Sequence, residues 1–102
     1  MRSSFILLFF DLPAKTSQEK KEYRTFVNNL KKGGYRRIQK SIFAKHLRNS
    51  GSVKGEIQTI GATAPTGNVA LLPISAKQFS EISCVGGEEL PIGLFTDSVM
   101  VI

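Results

Sequence analysis

The chain has 102 residues, 41% hydrophobic and 22% charged, enough for one modest core and too few for two. A single cysteine, Cys84, excludes an intrachain disulfide scaffold, and with a single histidine, His46, it leaves no zinc site of the usual kind. The net charge of +6 is uneven: residues 1–54 carry thirteen Lys and Arg against Asp11, Glu19 and Glu22, whereas residues 55–102 carry Lys77 against five acids. Such asymmetry points to a polyanion partner, although a solvated surface explains the same charge.

Phe5-Ile6-Leu7-Leu8-Phe9-Phe10 is apolar without alternation, bounded by polar residues and too short for a helix, the pattern of a central strand covered on both faces. It is also far too short to span a membrane. Met1-Arg2-Ser3-Ser4 leads into this strand rather than into a signal peptide, so the expected address is cytoplasmic, without membrane association. Asp11-Leu12-Pro13 ends the strand, because proline has no N–H for the ladder. Thr16 and Glu19 have the spacing of a capping box. Tyr23, Phe26, Val27 and Leu30 then form one helical stripe, closed by Gly33-Gly34.

Tyr35 to Leu47 is too long for one typical strand and predicts two antiparallel strands turning near Lys40-Ser41. Asn49-Ser50-Gly51-Ser52 is a loop. Val53, Ile57 and Ile60 predict a weaker helix, its propensity lowered by Gly55 and Gly61. Pro65-Thr66-Gly67-Asn68 turns into a fourth strand, Val69 to Ile74. Ile82–Val85 and Ser98–Ile102 read as further extended pieces. The order β-α-β-β-α-β predicts an α+β, ferredoxin-like domain over residues 1–79, with both helices on one sheet face. Residues 80–102 form a C-terminal extension whose strands complete a dimer or contact a partner. No second layer of helix is expected on the other face, so two sheets packed face to face in a homodimer would cover it.

Asp11, at the end of a buried strand, could hold a hard cation; a turn or helix-capping aspartate is the competing reading. Lys20, Lys21 and Arg24 lie off the apolar stripe of the first helix and could contact phosphates or simply be solvated. Arg36, Arg37, Lys40, Lys45 and Arg48 are five cations within thirteen residues, with no acid among them, which favours phosphate contact. Tyr35 and Phe43 read as core aromatics rather than stacking platforms. His46 reads as a strand-end surface residue and Cys84 as a small buried hydrophobe.

Phe9-Phe10-Asp11-Leu12-Pro13, Glu19 to Phe26, Gly34-Tyr35, Gln39 to Phe43, Gly67-Asn68-Val69 and Lys77-Gln78-Phe79 together resemble the CRISPR-associated protein 2 family, in the form that accompanies type II loci. The resemblance runs from about Phe5 to Phe79. It implies a homodimer acting in CRISPR adaptation, where it bridges dimers of the CRISPR integrase (CRISPR-associated protein 1) and holds DNA. It also implies metal-dependent endonuclease activity on RNA or DNA, with Asp11 as the catalytic ligand of Mg²⁺ or Mn²⁺. Arg24 matches a recurrent basic position of the family. A toxin-like ribonuclease of the same fold and a purely non-catalytic scaffold are the alternatives.

Overall fold

The computed structural model describes residues 4–47 and 52–86. Its elements are β1 (Ser4–Asp11), α1 (Ser17–Lys32), β2 (Arg36–Gln39), β3 (Ile42–Leu47), α2 (Ser52–Thr63), β4 (Asn68–Ser75) and α3 (Ala76–Ser80). The antiparallel sheet has the order β2-β3-β1-β4. This is the ferredoxin-like arrangement, with the first and third strands central. Among the described residues no helix is long and apolar enough to cross a membrane.

The central position of β1 explains its unbroken apolar run, since both faces need cover. Ile6, Leu8 and Phe10 point to one face and pack with Phe43, Leu47, the α1 residues Phe26, Val27 and Leu30, and Ile60 of α2. Phe5 and Leu7 point to the other face and pack with Ala44 and Phe79. The start of α1 is fixed by the expected capping box, Thr16 Oγ1 accepting from Glu19 N at 3.0 Å. Its end is a Schellman closure, with Tyr35 N donating to Leu30 O and Gly34 N to Lys31 O. Gly34, at φ +95°, rather than Gly33, carries the left-handed residue.

Several expectations need correction. α2 buries Ile60 but leaves Ile57 46% exposed. Glu56 is partly buried instead and binds the sheet through polar contacts, so the expected apolar stripe is replaced by a mixed one. The second sheet face is also not bare: α3, capped by Ser75 and Gln78, seats the Phe79 ring parallel to Phe5, with centroids 4.1 Å apart. Five residues would not hold a helix alone; the capping box and this buried ring hold it here. His46 is the penultimate residue of β3, as its strand-end reading expects, but it is half-buried, its ring centroid 5.0 Å from that of Phe5, rather than a surface residue. Residues 82–85 form no strand, and Cys84 is partly exposed. Ser98–Ile102 and Arg48 lie outside the described residues.

Candidate functional site

Since α3 covers only the Phe5 end of the second face, the Asp11 end stays open. Alternation along β1 puts Phe5, Leu7, Phe9 and Asp11 on this face. Leu72, opposite Leu7, is 48% exposed. Beyond it an open cavity of about 580 Å³ is lined by Phe9, Asp11, Ser41, Ile42, Asn68 and Ala70 among others. An apolar floor therefore meets an exposed carboxylate at its rim.

The backbone holds Asp11 closely. Phe10 N donates to Ser41 O at 3.1 Å on the β3 side. On the β4 side Gly67, at φ +144°, lies so near that a Cβ would stand 2.6 Å from Leu12 Cδ2 and 3.2 Å from Asp11 O. Only glycine permits this approach at that dihedral angle. Asn68 follows directly opposite Asp11 in the ladder. Sequence reasoning passed over Asn68 and Ser41 as site residues; their link to Asp11 is a matter of strand register, which a single sequence does not display. Among the described residues no three His, Cys, Asp or Glu side chains come together. Among the described residues lining the cavity, Asp11 is the one carboxylate offered to a cation.

The candidate cations fall into different places. Lys20, Lys21 and Arg24 are exposed on α1, Arg36 and Arg37 on β2, and Lys40 in the β2–β3 turn. None of these six has an ion-pair partner among the described residues. Arg36 stands opposite Ala44 on the open face; Arg37 is opposite Phe43 on the helix-covered side, its guanidinium 5.0 Å from the Phe43 ring centroid, a cation–π contact.

Lys45 is set apart from them. Its Nζ donates to Glu56 Oε2 at 2.9 Å, while Tyr35 Oη donates to Glu56 Oε1 at 2.9 Å. Glu56 thus neutralises Lys45 and fastens α2 to the sheet. Burial, reinforced by the hydrogen bond to Glu56 and its charge, holds the Tyr35 hydroxyl well above its ordinary range. Tyr35 and Phe43 are both buried and lie in the core rather than on a stacking surface.

Residues 4–82 match the family model described as CRISPR associated protein Cas2. Relatives that bear the name CRISPR-associated endoribonuclease Cas2 include those from three organisms. The one from Campylobacter jejuni is 36% identical over 83 residues, 80% of this chain but only 58% of that protein's length. The one from Streptococcus mutans is 33% identical over 84 residues, covering 81% of this chain and 78% of the relative. The one from Treponema denticola is 30% identical over 98 residues, covering 95% and 97%. The matched span takes in the whole described sheet, its three helices, Asp11 and the exposed cations, and on this basis the chain belongs to the CRISPR-associated protein Cas2 family.

Proposed function

We propose that the protein is a homodimeric subunit of CRISPR adaptation in a type II system, holding nucleic acid by its backbone and bridging integrase dimers, with metal-dependent phosphodiester cleavage as a second capability. The observation that carries this reading is the half-open apolar sheet face with Asp11 exposed at its rim. A second copy packed on that face would bury Phe9 and Leu72 and bring a second Asp11 to the same interface. The unpaired cations of α1 and β2 would neutralise phosphates without reading bases. Lys45 contributes little to this field, because Glu56 already balances it.

The donor set fits an ion that keeps most of its water. Mg²⁺ is held by one or two carboxylates rather than by an all-protein cage, and Asp11, with its counterpart in the second copy, would supply them. When bound, such an ion polarises a phosphodiester and lowers the pKa of a bound water. The chain's own part is to present the carboxylate from a rigid strand end and to grip the flanking phosphates. The relatives' shared name supports the nuclease capability.

The deciding experiment is co-purification with the cognate integrase, followed by a spacer-acquisition assay with Asp11→Asn. Continued acquisition, together with loss of any Mg²⁺-dependent cleavage, is the expected result. Failure to co-purify, with cleavage of RNA intact, would favour the toxin-like ribonuclease. The grip on the backbone is tested by salt. Arg36→Ala with Arg37→Ala should weaken binding equally for unrelated duplexes and make the slope of log K against log salt shallower, by up to roughly four units across a dimer. An unchanged slope would remove both arginines from the interface.

A further inference from the structure

We infer that Asn68 is a second protein ligand for a divalent cation at Asp11, its side-chain carbonyl oxygen meeting the ion from the neighbouring strand. This rests on the metal reading of Asp11 above and adds a ligand to it. Asp11 and Asn68 are Cα partners in the β1–β4 ladder. Directly opposed residues in an antiparallel pair share a face, with Cβ atoms roughly 4.5–5.5 Å apart. At that separation a carboxylate and an amide oxygen reach one hard cation, which takes both kinds of donor.

Two further features support the assignment. Both side chains are exposed at the same cavity, and among the described residues neither has a hydrogen-bond or ion-pair partner. Asn68 is therefore not engaged in the backbone-directed bond by which asparagine commonly closes a turn. Gly67 fixes the geometry from behind. Its lack of a Cβ lets β4 enter the sheet against the Asp11 carbonyl, so the two residues stand opposite one another in the ladder. With no group of three acids, cysteines or histidines among the described residues, a neutral oxygen beside Asp11 is the donor that raises the site above a lone carboxylate.

The test is a Mn²⁺ titration of the full chain without nucleic acid, reading the free ion by electron paramagnetic resonance, with sedimentation run alongside. Asn68→Ala should weaken Mn²⁺ binding roughly tenfold, the lower end of what losing even an outer partner of a metal ligand costs. Asn68→Asp, which adds a carboxylate, should tighten it. Neither change should alter the sedimentation coefficient. If Asp11→Asn abolishes Mn²⁺ binding while both Asn68 variants bind like wild type, the assignment of Asn68 is wrong and the metal reading of Asp11 stands. Wild-type binding by Asp11→Asn would overturn both. Should Asn68→Ala fail to fold, Asn68→Asp decides alone: tighter binding supports the assignment, and unchanged binding refutes it.

Discussion

The two faces of the sheet are built from the same central strand and end up with different tasks. Under α1 and α2, Ile6, Leu8 and Phe10 are sealed by large side chains on every side. On the other face only Phe5 and its neighbours are sealed, by one short helix, and exposure grows toward Leu72 and Asp11. A fully covered face has only stability to supply. A half-covered one leaves apolar area and a carboxylate exposed, at some loss of stability to the isolated chain.

Core truncations should separate the faces most strongly. Phe43 is fully buried on the helix-covered side, and Phe43→Ala should lower unfolding free energy by about 3–5 kcal/mol in urea titration. Phe79→Ala removes an equally buried ring from α3. The cost should nevertheless be smaller, roughly 2–3 kcal/mol, because a five-residue helix at the edge of the core relaxes more freely. Equal costs would mean that the second face is as tightly built as the first.

Gly67→Ala probes the open end itself. Strain at its positive φ should cost about 1–3 kcal/mol, and adding Leu12→Ala, which removes the nearest clashing carbon, should recover part of the loss in thermal unfolding.

Tyr35→Phe breaks the hydroxyl's bond to Glu56 on the covered side and should cost about 1 kcal/mol at neutral pH. It should also change the alkaline limb of the stability profile. Tyr35 keeps its proton in the folded state to higher pH than in the unfolded chain. The stabilisation is therefore complete below roughly pH 10, where the unfolded chain's tyrosine begins to ionise, and declines as pH rises above it. The variant should show a shallower decline; an identical profile would place the alkaline loss elsewhere.

Leu72→Ala should be the mildest, within about 0.5 kcal/mol for a dilute single chain. If a second copy covers Leu72, the same change should raise the dimer dissociation constant measured by sedimentation. Weaker dimerisation without a matching loss in the dilute single chain is what distinguishes a partner surface from an ordinary exposed leucine.

The helix-covered face was legible in the sequence because periodicity reports directly on burial. The stripe Tyr23, Phe26, Val27 and Leu30 and the run Phe5 to Phe10 each name their own environment. Ile57 misled because an amphipathic pattern assumes that apolar residues face inward, whereas Glu56 takes an inward position through two polar contacts. α3 was missed because five residues are too few to show a period. Asp11 is a candidate in the sequence through its place at a strand end and through family resemblance. Its neighbour Asn68 lies 57 positions later in the sequence and meets it only through the ladder, a relation that local patterns do not encode.

The strand order also bears on how the chain comes off the ribosome. β1 is made first, yet one of its two neighbours, β4, is among the last described elements to be made. Until residues 68–75 have emerged, the most apolar strand of the protein has one edge with no partner. Such an edge is a template for pairing with other chains, and the delay follows from the long sequence separation of the contact. Synthesis that stalled in the loop after α2 would leave that edge bare, so the expression yield of fragments ending before Asn68 should be governed by aggregation rather than by the quality of the core they already contain.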